Sequence, residues 1–277
     1  MRFYKTTLFA ISAVFIAITA TAQTKKLKDQ TNNTTMTTNN KKMTVEIWSD
    51  VMCPFCYLGK QKFDNALNHF KNKDKVEVVW KSFQLNPYLK TDTNITIHEY
   101  LAREKGFSMD RAKSLNNQVA EMGKEVGLTY NFDKMIVANT FNAHRFLHYA
   151  KDQGKQNEAE DRMFKAFFTE GKNIDDTETL LALGAELGFN KDSLSAVLAN
   201  GTYTKEVNAD ITEAQQLGIR GVPFFVFNRK YAVSGAQDSK VFLETLEKAF
   251  EEWKKDNPGA FLQIIDGKVC DVNGKCE

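Results

Sequence analysis

The stretch Ser49-Asp50-Val51-Met52-Cys53-Pro54-Phe55-Cys56-Tyr57 constrains this chain more than any other. Before it, Thr44-Val45-Glu46-Ile47-Trp48 sets Val45 and Ile47 in alternation with polar positions, a β-strand pattern. After it, Tyr57-Leu58, Phe63, Ala66-Leu67 and Phe70 recur at helical spacing. Two cysteines separated by two residues therefore fall where a strand ends and a helix begins. That setting gives the motif a redox reading. Cys53 at the helix start would meet unpaired backbone N–H groups and the positive end of the helix dipole, which favour a thiolate. Pro54 suits the first turn, where its missing N–H has no partner to lose. Cys56, one turn on, is placed to resolve a mixed disulfide formed on Cys53. A C-x-x-C pair is also half of many zinc sites, or a plain structural disulfide, and the motif alone leaves both open.

The rest of the chain bounds this reading. The length of 277 residues allows one large or two small domains, and 21 Phe imply a substantial core. The net charge of +2 is unevenly spread. Residues 23–42 carry five Lys and Asp29, so that residues 43–277 are net −4 once Arg2 and Lys5 are counted. No charge run points to nucleic acid. Arg2 and Lys5, the apolar run Leu8–Ala20 and the small residues Ala20-Thr21-Ala22 read as a secretory signal over residues 1–22. The run is too short to favour a membrane span. Residues 23–42 bury too little to order themselves and read as a disordered tether. The expected location is thus outside the cytoplasm, in a periplasm, with no stable membrane span after cleavage. A start at Met43 would instead leave the product cytoplasmic.

Residues 76–85 are rich in β-formers and read as a second strand, so strand, helix and strand make a right-handed parallel β-α-β unit. From Ile97 to about Asn200 the apolar spacing is helical, and Asp175-Asp176-Thr177-Glu178 offers a helix cap. A helix over 203–217 ends at Gly218. Val222-Pro223-Phe224-Phe225-Val226-Phe227 reads as a strand opening on a proline, and Asn228-Arg229-Lys230 as the turn to Tyr231–Gly235. A last helix spans 238–256.

In this order the chain resembles the thioredoxin fold of the DsbA superfamily. Within it the chain looks like the FrnE-like branch, which is related to 2-hydroxychromene-2-carboxylate isomerases and kappa-class glutathione transferases. The resemblance covers residues 44–250 and rests on Val45-Glu46-Ile47-Trp48-Ser49-Asp50, Asn139-Thr140-Phe141-Asn142-Ala143-His144-Arg145, Phe167-Phe168-Thr169-Glu170-Gly171, Gly221-Val222-Pro223-Phe224-Phe225-Val226 and Ser234-Gly235-Ala236-Gln237. It implies a cis Val222–Pro223 bond beside the cysteines, exposing the Val222 backbone to an extended substrate chain. It also places Asn139, His144 and Arg145 near the cleft, either lining it or forming a hydrogen-bonded core network. The isomerase and transferase relatives carry serine where redox cysteines sit. This chain keeps both, which favours thiol–disulfide exchange. Phe55 replaces the His of DsbA itself and cannot supply a cation to the thiolate, which implies a less oxidising couple. His69, His98 and His148 show no ligand spacing, and Asp50 reads as a solvated loop carboxylate or a proton relay.

Cys270 and Cys276 lie beyond the family resemblance. A two-residue Asn-Gly turn would pair Cys270 with Glu277 and put the cysteines on opposite faces. A three-residue loop, Val272-Asn273-Gly274, would instead pair Cys270 with Cys276 and allow a cross-strand disulfide. The pair is a structural staple, a second redox couple of the kind FrnE-like proteins can carry, or half of a four-cysteine zinc site.

The expected fold is an α/β thioredoxin-like domain over 43–94 and 201–256, with an inserted all-helical lobe over 95–200 and a cysteine-bearing tail over 257–277. The expected activity is thiol–disulfide exchange on proteins. Cys53 is the nucleophile, Cys56 the resolving thiol, and Pro54, Phe55, Val222 and Pro223 contact the substrate chain. No organic cofactor or metal is required. Glutathione is conceivable as a substrate, and an unidentified partner must exchange electrons with the pair. The competing readings are a small-molecule isomerase or glutathione-linked transferase acting in the helical-lobe cleft, and a holdase-like binding protein with a relic site.

Overall fold

The computed structural model describes residues 41–258. The signal and tether readings up to residue 40 and the Cys270–Cys276 tail lie outside them. Strand β1 (Met43–Ser49) runs into helix α1 (Pro54–His69), which returns to β2 (Val76–Ser82). The two strands pair in parallel, from Met43 opposite Val76 to Ser49 opposite Ser82. The insertion opens with β3 (Asp92–Thr96) and helices α2 (Ile97–Lys105) and α3 (Met109–Lys124). It continues through β4 (Ile136–Val137) to α4 (Phe141–Asp152), α5 (Gln156–Phe164), α6 (Thr177–Glu186) and α7 (Lys191–Asn200). Helix α8 (Thr204–Gln216) leads back to β5 (Phe224–Phe227), β6 (Tyr231–Ser234) and α9 (Ser239–Asp256). The four-stranded sheet has the order β2-β1-β5-β6, with β5 antiparallel to both neighbours.

Local chemistry explains the element ends. Thr96 and Glu99 form a reciprocal capping box at the start of α2. Ser108, Asp176, Asn190 and Asp238 accept from the first free N–H groups of α3, α6, α7 and α9. Asn228 and Arg229 take left-handed backbone in the β5–β6 turn, the twist a tight hairpin needs.

Two expectations need amending. The insertion is helical except for one short ladder, in which Asp92 pairs with Val137 and Thr96 with Ile136. Neither strand is long enough to show a period in the sequence. The second strand also ends at Ser82 rather than Leu85, because the carboxylate of Asp50 takes the Leu85 N–H at 2.7 Å.

Strand β1 is central and buried on both faces. Val45 and Ile47 face Phe63 of α1, Phe225 and Phe227 of β5, and Phe242 and Phe250 of α9. On the other face Trp48 packs with Ala214, Ile219 and Val226 and donates its indole N–H to the Asp210 carbonyl at 3.1 Å. Glu46, also on β1, is buried and pairs with Arg229. The insertion has its own core, which includes Cys53, Cys56, Tyr57, Phe164, Phe167 and Phe168. The active-site turn is therefore built partly from insertion contacts.

A buried ionic cluster joins α1 to α5. Lys60 is 1% exposed and reaches Asp64 at 2.5 Å and Asp161 at 2.6 Å. Burial opposes its charge, but the two carboxylates outweigh that and raise its pKa. Glu160 beside it is 4% exposed, and its Oε2 has no hydrogen-bond partner. Burial pushes its pKa up to about 8, against the lowering effect of Lys60. A carboxyl with a raised native pKa binds more protons folded than unfolded, so stability falls as pH rises from the unfolded value towards about 8. Replacing Glu160 by Gln removes this dependence. Urea unfolding should show Glu160→Gln gaining on the parent steadily between about pH 5 and pH 8, by on the order of 1 kcal/mol per pH unit. Parallel profiles for the two proteins would contradict the assignment.

Candidate active site

Three chain ends meet at one edge of the sheet: the end of β1, the end of β2 and the start of β5. Cys53 follows β1 as the cap residue of α1, with Pro54 at the first helical position. Its side chain makes no capping bond, while its carbonyl accepts from the Cys56 N–H at 3.0 Å and the Tyr57 N–H at 3.4 Å. Its own N–H donates to the Asp50 carbonyl at 2.9 Å. The sulfur of Cys53 is thus held at the positive end of a 16-residue helix. From there it donates to the Val222 carbonyl at 3.5 Å.

The Val222–Pro223 bond is cis. Pro223 is buried against α1, and Gly59 makes that approach available. A Cβ on Gly59 would stand 2.9 Å from Pro223 Cγ and 3.4 Å from the Ala236 backbone. The Pro223 carbonyl in turn accepts from the Gly235 N–H at 2.8 Å, tying the proline turn to the end of β6.

The two cysteines have different surroundings. Both thiols are free, with Cys53 4% and Cys56 1% exposed. Burial pushes the Cys56 thiol pKa well up, and the adjoining Cys53 sulfur adds to the shift. The Asp50 backbone N–H and the Ser49 hydroxyl, which has no well-aligned partner of its own, work against it without reversing it. Tyr130 braces the motif by donating its hydroxyl to the Pro54 carbonyl at 2.8 Å. Its ring packs on Tyr57, Phe132 and Phe168, and burial raises its pKa.

Beside Cys53 lies a largely apolar groove of about 780 Å³. The active-site turn supplies Met52, Cys53 and Phe55, and the proline turn supplies Val222. The opposite wall comes from the stretch after β2, Leu85 to Tyr88, and from α2 and α3. Phe55 is 42%, Leu85 49% and Tyr88 91% exposed, so three bulky apolar side chains stand at the rim facing solvent.

Asn139, His144 and Arg145 do not line this groove. Asn139 shapes the entry to α4, accepting from the Phe141 N–H at 2.8 Å and donating to the Leu89 carbonyl at 2.7 Å. Arg145 donates to the Thr202 and Leu198 carbonyls at 2.8 and 3.2 Å and to that of Val197, satisfying the carbonyl end of α7. His144 is buried 3.4 Å from Asp50. Asp50 itself is 0% exposed, not a solvated loop carboxylate, with its carboxyl oxygens against the Leu85 N–H and His144. His148 and Lys81 meet Asp210 at 3.1 and 2.7 Å, and His98 meets Asp133 at 3.0 Å. Among the described residues no group of three His, Cys, Asp or Glu is placed to hold a metal ion. No helix among them is long and apolar enough to cross a membrane.

Sequence reasoning missed the groove wall at Leu85–Tyr88, the Tyr130 brace and the buried lysine. Lys60 was legible, since it shares a helical face with Cys56, Phe63 and Leu67. Tyr130 sits in a loop and had no signal.

A C-x-x-C pair at a helix start, facing a proline turn that opens an antiparallel strand, on this sheet and with this helical insertion, defines a protein of the DsbA-like thioredoxin fold. The chain belongs to the DSBA-like thioredoxin domain family, whose model matches residues 44–247. A Streptomyces coelicolor protein described as a probable DsbA oxidoreductase is 37% identical, with a TM-score of 0.72 over 85% of this chain and 98% of that one. An uncharacterised Bacillus subtilis protein, YwbO, is 29% identical over 216 residues, 76% of this chain and 97% of its own. A 2-hydroxychromene-2-carboxylate isomerase shares the fold, with a TM-score of 0.56 at 17% identity over 78% of this chain and 98% of that one.

The proline contact yields a direct expectation. Alanine at position 59 would gain about 0.5–1 kcal/mol of helix propensity over glycine, yet its Cβ needs the space Pro223 fills. Gly59→Ala should therefore lower kcat/KM for a peptide disulfide several-fold by displacing the proline turn. A variant that is more stable and equally active would show that the close packing is not needed.

Proposed function

We propose that the protein is a thiol–disulfide oxidoreductase or isomerase acting on protein disulfides, and that within its family it belongs to the FrnE-like branch. The observation that carries the activity is the placement of Cys53, at a helix start, beside the Val222 carbonyl, and on the wall of an apolar groove. The Cys53 thiolate attacks a substrate disulfide. One S–S bond forms between Cys53 and the substrate, the original S–S bond breaks, and the leaving substrate sulfur takes a proton. The Cys56 thiolate then attacks the Cys53 sulfur, releasing the second substrate thiol and leaving a Cys53–Cys56 disulfide. Run backwards, the same steps oxidise a substrate dithiol. The raised pKa of Cys56 keeps it protonated during the first step, so that Cys53 is the attacking group.

An extended substrate chain would run past Val222, with Pro54 and Phe55 on its other side. Its apolar side chains would enter the groove. The steps need no organic cofactor, only a partner that resets the redox state of the pair. The leader-like residues 1–22 support a site of action beyond the cytoplasmic membrane. The retained cysteine pair supports exchange over small-molecule isomerisation. The groove, at about 780 Å³, is nonetheless within the range of small-molecule sites and supports the second reading.

Two variants separate these readings. Cys56→Ser should trap a mixed disulfide between Cys53 and a peptide substrate, visible by mass spectrometry and absent in Cys53→Ser. In the parent, the mixed disulfide should resolve faster as pH rises, by up to about tenfold per unit below the Cys56 pKa, because resolution needs the Cys56 thiolate. Small-molecule turnover that survives Cys53→Ser, with no trapped adduct in Cys56→Ser, would favour the isomerase.

A further inference from the structure

Asp50 is the only residue joining the active-site turn, the groove wall and the insertion through one side chain among the contacts described for these elements. Its carboxylate accepts the Leu85 N–H at 2.7 Å, and the Met52 N–H stands at 3.5 Å. Its other neighbour is His144 Nε2 of α4, at 3.4 Å. Both side chains are almost wholly buried, at 0% and 3% exposed, so water does not compete for these contacts. The carboxylate does not line the groove. What it holds does: Met52 on one side, and Leu85 with the following Asn86, Pro87 and Tyr88 on the other.

The consequence is specific to this stretch of chain. Strand β2 ends at Ser82, with the Phe83 N–H still donating to the Ser49 carbonyl at 3.0 Å. Two residues later the N–H that would continue past β1 is taken by a side chain instead. The chain therefore turns away, and Leu85 and Tyr88 project at 49% and 91% exposure beside Cys53. The other contacts of this stretch are largely local or flank it: the Tyr88 N–H donates to Asn86 Oδ1 at 3.3 Å, Gln84 donates to Asn139 and Thr140, and Asn139 donates to the Leu89 carbonyl. The Asn86 side chain donates to the Tyr100 hydroxyl at 3.1 Å, and the Leu89 N–H donates to the Asn86 carbonyl at 3.2 Å.

We propose that the Asp50 side chain, oriented by His144, is a positioning group that sets the Leu85–Tyr88 wall of the groove and so governs selection of polypeptide substrates with bulky apolar residues next to the reacting cysteine. The proposal rests on the disulfide-exchange reading and narrows it to a substrate class. A small disulfide reaches Cys53 without touching this wall; a polypeptide does not.

The test compares two substrates in the full chain. One is a peptide with a disulfide flanked by Phe and Leu; the other is 2-hydroxyethyl disulfide. Asp50→Asn keeps the shape but presents an N–H to at least one group that needs an acceptor. KM for the peptide should rise about tenfold, the scale of one lost hydrogen bond, and by more than kcat falls. The ratio of kcat/KM for the peptide to that for 2-hydroxyethyl disulfide should therefore fall about tenfold. Amide hydrogen exchange should quicken at residues 83–88 and stay unchanged in α1. Leu85→Ala/Tyr88→Ala should reproduce the peptide defect, and adding Asp50→Asn to it should cost little more.

Equal losses on both substrates, or full additivity with the wall variant, would overturn the proposal. An Asp50→Asn protein indistinguishable from the parent would do so too. If Asp50→Asn fails to fold, His144→Gln with the same readouts decides, since it loosens the same carboxylate from the insertion side. A parent protein that exchanges neither disulfide would defeat the exchange reading itself. A parent active on both, with equal losses in the variant, defeats only the positioning role.

Discussion

Strand β1 is paired on both sides, and that double pairing arranges the site. Its parallel partner β2 and its antiparallel partner β5 bring the end of β2 and the start of β5 to the same edge where β1 itself ends. Cys53 follows the first, Leu85 the second, and Val222-Pro223 precedes the third. None of these residues is near another in sequence. Each is fixed by pairing with β1, whose side chains are buried on both faces, so that a one-residue slip of β1 would reverse every one of them. The helix that starts at Pro54 then adds its dipole where the attacking sulfur sits.

Asymmetry between two identical side chains is the other half of the design. Cys53 sits at the helix cap on the groove wall, while Cys56 is one turn deeper and closed over by the insertion core. Burial pushes the Cys56 thiol pKa up, which under the proposed exchange would reserve it for the second step. The insertion thus builds the redox site as well as enclosing it. Tyr130 and Phe168 reach the motif from segments more than seventy residues away, and Lys60 and Asp161 tie α1 to α5.

Much of this was legible in the sequence because it is local. Alternation and helical spacing marked β1 and α1, and Cys53-Pro54-Phe55-Cys56 located the reacting atoms. The proline of Val222-Pro223 identified the strand start, and Asp176 and Gly218 marked helix ends. What stayed hidden depends on long-range contacts. Nothing in the residues around Asp50 says that Leu85 and His144 will close over it, or that its carboxylate will end β2 early. Of the two readings of the polar cluster around the start of α4, the contacts match the hydrogen-bonded network, since Arg145 donates to carbonyls at the end of α7 and Asn139 shapes the entry to α4. The β3–β4 ladder is too short to leave a period.

The reading as a whole depends on Cys53 and Cys56 cycling between dithiol and disulfide. Equilibrating the protein in a series of thiol–disulfide buffers, alkylating the free thiols and reading both positions by mass spectrometry measures this directly. The pair should titrate together as one two-electron couple, between about −120 mV, the value for DsbA, and about −270 mV, the value for thioredoxin. Cysteines that stay alkylatable across the whole range, or that oxidise separately, would contradict exchange through this site.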